Sequence, residues 1–168
     1  GSCGTSAWRG SASAAVFCAA GLPVKPKAVA ALFPSVTKPQ AEQPAATLTV
    51  PGLILSAPGD PMTLRSNAVE LARAWPAATL RAVAKAEPGG LIEGRRLARV
   101  VGLPGPDRRT QRIVRALLTG YLLHLLAGDK TYRDFSDPTA VLPKTEVVDP
   151  RTEEPVALEE KVVALLKG

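Results

Sequence analysis

Apolar and polar positions fall into short blocks along this 168-residue chain. Small apolar residues dominate 10–20 (GSASAAVFCAA), and Gly21 follows as a helix stop, so a short helix is predicted there. Pro23 and Pro26 then mark a loop. Residues 28–33 (AVAALF) are an unbroken apolar run ending at Pro34, the pattern of a buried parallel strand. The polar, proline-containing stretch 35–45 reads as a surface loop. Residues 47–56 (TLTVPGLILS) predict a second strand, strongest at Leu53, Ile54 and Leu55. The cluster at 57–63 (APGDPMT) is a turn at that strand's carboxyl end. Ser66 caps a predicted helix running through Trp75, with Ala68, Val69 and Ala72 on one face. Residues 79–85 (TLRAVAK) are a third strand candidate, broken by EPGG at 87–90, and 91–101 is a weaker helix.

The clearest element begins at Asp107, a helix cap, and runs to Ala127 before Gly128 ends it. Val114, Leu117, Leu118, Tyr121, Leu122 and Leu125 recur at steps of three and four, so one face is buried. Residues 129–155 show little regularity, and 157–167 form a short amphipathic helix with Leu158, Val162 and Leu165 in register. Apolar strands alternating with helices argue for an α/β fold with a parallel sheet. Such folds place chemistry in loops at the carboxyl ends of strands. Two such loops follow Leu55 and Lys85.

Composition narrows the function classes. With 46% apolar residues the chain can build a packed core, and its length suits one domain. The longest apolar stretch, 116–127, is interrupted by Thr119, Gly120 and His124 and is too short to span a membrane. No basic segment followed by an apolar core opens the chain, so no secretion signal is expected, and nothing assigns a compartment. Two cysteines and one histidine exclude a disulfide framework and most intrachain zinc sites, so neither metal nor cofactor is expected. Cys3 and Cys18 read as free thiols.

The positive charge is concentrated. Between residues 94 and 120 stand Arg95, Arg96, Arg99, Arg108, Arg109, Arg112 and Arg115, opposed only by Asp107, so this window alone accounts for the net +6. One reading is a surface for an anionic partner; the other is a solvated helix face in an arginine-rich sequence. No aromatic residues interleave with the arginines, and at 4% of the chain they are too few for base stacking, which speaks against nucleic acid.

Residues 4–130 resemble the carboxyl-terminal half of an α/β-hydrolase of the dienelactone-hydrolase and esterase kind. Gly4-Thr5-Ser6-Ala7-Trp8 is similar to that family's G-x-S-x-G nucleophile elbow, with Trp8 in place of the final glycine. The small-residue helix and the AVAALFP strand follow in the family's order. Asp60, in the turn after PGLILS, occupies the slot of the family's acid. The long helix RIVRALLTGYLLHLLAGD resembles its last helix. The resemblance implies a partial α/β-hydrolase-like parallel sheet with flanking helices over 1–130. Residues 131–168 would form a tail ending in the short amphipathic helix.

The implied activity is carboxylic-ester hydrolysis with Ser6 as nucleophile, Asp60 as acid and a small ester as substrate. The family's histidine belongs in the loop after the third strand, where Pro88, Gly89 and Gly90 stand instead. Serine attack needs a base to take its proton, so weak or absent activity is expected. His124 sits mid-helix among leucines and reads as structural. Glu87 and Glu93 read as solvated loop acids. The alternative function is a non-catalytic hydrolase-fold scaffold or binding module using the arginine-rich face 95–115. A half sheet would leave an open strand edge and an uncovered apolar face. Self-association or a completing chain is therefore expected. LPKTE at 142–146 is similar to a sortase signal but has Glu where Gly is needed, and it lacks the apolar span and basic tail such a signal requires.

Overall fold

A computed structural model describes residues 16, 19–21, 26–35, 39–57, 65–86 and 107–153. Its centre is a four-stranded mixed sheet flanked by helices, an α/β architecture. β1 (Val29–Leu32), β2 (Gly52–Ser56) and β3 (Ala78–Val83) are parallel and adjacent in chain order. β4 (Thr145–Val147) closes the β3 edge antiparallel, with Ala82 opposite Glu146. α1 (Glu42–Ala45) links β1 to β2, and α2 (Arg65–Ala74) links β2 to β3. α3 (Arg108–Ala127) and a 3-10 helix (Lys130–Phe135) precede β4.

The apolar runs become strands because both of their faces are covered. β2 is buried at every position, so its sequence shows no alternation. Ile54, Leu80 and Ala82 pack with Val29 and Ala31 beneath α1 and α2, together with Ala68, Val69, Leu71, Ala72 and Trp75. Leu53, Leu55 and Val83 pack on the other face against Val114, Leu117 and Tyr121 of α3. The expectation of a bare apolar sheet face is therefore corrected, because each face carries its own core. Val16 and Ala19 are helical and belong to the first core, in line with the predicted amino-terminal helix.

Two close approaches depend on glycine. A Cβ on Gly52 would lie 2.5 Å from the Trp75 indole, which is fully buried and donates from Nε1 to the Val50 carbonyl at 3.0 Å. A Cβ on Gly120 would lie 2.5 Å from the Phe135 ring, so this helix glycine lets the 3-10 helix close onto α3.

Local chemistry sets the boundaries of α3. Asp107 accepts backbone N–H bonds from Arg109 at 3.0 Å and Thr110 at 2.9 Å, and a short bond from the Thr110 hydroxyl. Gly128, at φ 70°, ends the helix, donating to the His124 carbonyl at 3.1 Å. Helix, cap and stop match the pattern read from the chain. Elsewhere the structure differs. The predicted loop 35–45 contains α1, with Ala41 and Ala45 buried, and the predicted second strand begins only after Pro51. Pro51 has no N–H for a ladder, which explains the late start.

The stretch read as irregular, 129–155, builds part of the fold. It contributes the 3-10 helix and β4, and it places Leu142 in one core and Val148 in the other. Arg81 of β3 is fully buried beneath it. One guanidinium nitrogen donates to the Ala140 carbonyl at 2.7 Å, and the other donates to Asp134 at 2.9 Å and Asp137 at 2.5 Å. The Thr79 hydroxyl donates to the Ser136 carbonyl at 3.1 Å. On the other side, Arg73 near the end of α2 donates from Nε to the Pro150 carbonyl at 2.6 Å, and also to Glu153. Two arginines thus fasten one segment across the β3 edge.

Candidate functional site

The carboxyl edge of the three parallel strands is where this fold class places ligands, and it is the least relaxed region described. β1 runs out through Phe33, whose φ is 52° although the residue is bulky and buried. Its N–H donates to the Leu55 carbonyl at 2.8 Å, extending the ladder one step past the strand. β3 runs out through Lys85, with φ 56°. Left-handed backbone at non-glycine residues stores on the order of 1 kcal/mol or more each.

Between them, β2 ends at Ser56, which is 1% exposed, and its hydroxyl has no hydrogen-bond partner among the described residues. An unpaired buried hydroxyl is costly, typically about 1–3 kcal/mol. One strained or unpaired residue thus stands at each of three neighbouring strand ends. Such features concentrate at functional sites, and none was visible as an apolar or polar pattern.

Ser6 and Asp60 both lie outside the described residues, as do Gly4, Trp8, Glu87, Gly89, Gly90 and Glu93. So do Cys3, Cys18, Arg95, Arg96 and Arg99, and the helices expected at 91–101 and 157–167. Ala57, the last described residue before Asp60, is buried in the core against α3.

His124 is described. It lies in the last turn of α3, half-buried, with Nδ1 3.2 Å from the Asp129 carbonyl. The chain leaving this helix end is tied through Ser136 to Thr79, near the amino-terminal end of β3. Its visible contact is with the helix end, where a histidine complements the carbonyl groups. The Asp129 carboxylate beside it accepts from the Thr131 N–H at 2.9 Å, and this bond holds its pKa below the usual range, with a smaller contribution from His124.

Other titratable groups are shifted by their surroundings. Hydrogen bonds from Thr110, the hydroxyl first, hold Asp107 low. Thr139 does the same for Asp137 through its hydroxyl and backbone N–H. Burial raises the Tyr121 phenol. Burial also pulls the Arg81 guanidinium down, opposed by the charges of Asp137 and Asp134; an arginine stays protonated under such shifts. A single arginine inside the apolar run TLRAVAK was the one sequence signal for this buried clamp.

Among the described residues no group of three or more His, Cys, Asp or Glu side chains could hold a metal ion. No described helix is long and apolar enough to cross a membrane. Arg108, Arg109, Arg112 and Arg115 are all exposed on α3. No protein-family model, curated protein or solved structure matches the chain.

Proposed function

We propose that the chain is a relative of the α/β-hydrolases of the dienelactone-hydrolase and esterase kind, with residual carboxylic-ester hydrolase chemistry. The observation that supports this best is strand order. Three parallel strands stand side by side in chain order, with α2 on one face and α3 on the other. The chain therefore leaves β2 toward Asp60, and leaves β3 toward 87–90, from neighbouring strands at one edge. Neighbouring strand ends are where the family holds its acid and its base.

In this reading Ser6 attacks the carbonyl carbon of a small ester. The serine proton leaves as the acyl–oxygen bond forms, the alcohol departs with a proton, and water then hydrolyses the acyl-serine. Asp60 is the acid that would orient a base. The loop after β3 supplies no histidine, so water must accept the serine proton. Loss of the histidine costs on the order of 10⁶ in rate, leaving slow turnover. The sheet of this family continues beyond the strand equivalent to β1. The β1 edge, which has no strand partner among the described residues, thus accepts a strand from a second copy or a completing chain.

The test is release of p-nitrophenol from p-nitrophenyl acetate by the full chain. Slow, saturable turnover is expected, falling to the solvent background in Ser6→Ala. Turnover unchanged by that substitution removes Ser6 from the reading. A complete absence of turnover leaves a non-catalytic hydrolase-fold scaffold.

A further inference from the structure

The outer face of α3 carries charge of one sign only. Arg108, Arg112 and Arg115 follow one another at steps of four and three, with Arg109 beside them. All four are exposed. The opposite face holds Val114, Leu117 and Tyr121 and is buried against the sheet, so the arginine stripe points away from the core. No described ion pair involves any of the four. Asp107, the single acid of residues 94–120, has its carboxylate engaged in the helix cap, where it also feels the Arg109 charge. The stripe runs about 10 Å along the helix axis and is broken by no acidic residue.

We infer that this face binds the phosphate backbone of double-stranded nucleic acid without reading its sequence. Charge complementarity calls for a polyanion, and guanidinium groups match phosphate oxygens in pairs. Three further observations choose among polyanions. A membrane-surface helix needs a free apolar face, and the apolar face of α3 is spent on the sheet. A protein partner needs an apolar or aromatic centre, whereas the exposed neighbours of the arginines here include Ala116 and Thr119. Protein–nucleic acid interfaces are polar and strongly positive, as this stripe is. The scarcity of aromatic residues excludes stacking on single strands; it does not bear on contacts to phosphate, which need only cations. The inference stands apart from the ester-hydrolase reading, since it uses none of that reading's residues.

Fluorescence anisotropy with a labelled duplex of arbitrary sequence tests it, using the full chain over a potassium chloride series. Four phosphate contacts predict that log K falls with log salt at a slope of about 3 to 4, or roughly a hundredfold loss between 50 and 200 mM. Arg112→Gln combined with Arg115→Gln should lower that slope by about 2, equally for unrelated duplex sequences. Both side chains are exposed, so the melting temperature of this variant should match that of the parent. Absence of binding at low salt overturns the inference, as does a slope that the double substitution leaves unchanged. Tighter binding to phosphatidylglycerol vesicles or to polyglutamate than to the duplex also overturns it.

Discussion

At the scale of single residues, Arg81 has the most to lose. Its guanidinium is fully buried on β3 and satisfies the carbonyls of Asp134, Asp137 and Ala140, while its Nε has no partner among the described residues. The bonds it makes are charge-assisted and the strongest of their kind, but they only offset the loss of hydration. Replacing Arg81 with Met keeps bulk in the core and strips three carbonyls of their donor. A loss on the order of 3 kcal/mol in urea unfolding is expected. Arg81→Lys should recover part of that loss, because one ammonium cannot reach all three oxygens with the same geometry. A Met variant within about 0.5 kcal/mol of the parent, below the usual worth of one hydrogen bond, would show that water satisfies the carbonyls instead. No periodicity marks such a residue. An arginine in an apolar run reads as an exception until the segment that covers it is known.

Elements differ in how legible they are, and length is the reason. α3 announces itself because a 20-residue stripe, a capping aspartate and a terminal glycine all agree. β1 and β3 are legible because buried strands are short apolar runs. α1 has four residues and includes Pro44, too little for a helical period. β4 is a three-residue edge strand that includes an exposed Glu146, so no apolar run marks it. The 3-10 helix buries none of its residues and has no stripe to show.

The cap of α3 also carries a pH dependence. Hydrogen bonds hold the Asp107 carboxyl below its ordinary pKa, so the folded state prefers the charged form. The cap's contribution is therefore complete above the unfolded value of about 3.9, and it is lost as pH falls through the lower folded value. Asp107→Ala should cost about 1 kcal/mol at neutral pH. The gap from the parent should narrow steadily in urea titrations below about pH 4, where the parent loses the same cap. A gap constant down to pH 2 would mean that the charged carboxylate adds nothing beyond its shape.

The whole molecule shows what a residue pattern can and cannot convey about a site. The α/β class with parallel strands was readable, because short buried apolar runs alternate with helices along the chain, whereas which strands pair emerges only in the structure. The strained exits at Phe33 and Lys85 and the unpaired Ser56 hydroxyl were not readable, since each arises only when three chain segments meet at one edge. The same holds for the coverage of the sheet. β4 seals the β3 edge and two cores seal the faces, which leaves β1 as the terminal strand among those described.

Val29 and Phe33 donate toward β2, at 3.1 and 2.8 Å, so by alternation the Ala30 N–H points away from it. A parallel or antiparallel partner strand would use that N–H. Proline is tolerated at such a position on an edge strand and removes the donor. Ala30→Pro should therefore convert a self-associated chain to monomer in sedimentation velocity, with little change in melting temperature. An Ala30→Pro protein that sediments as the parent does would place the association elsewhere. A parent that is monomeric at every concentration would show that the β1 edge takes no second copy.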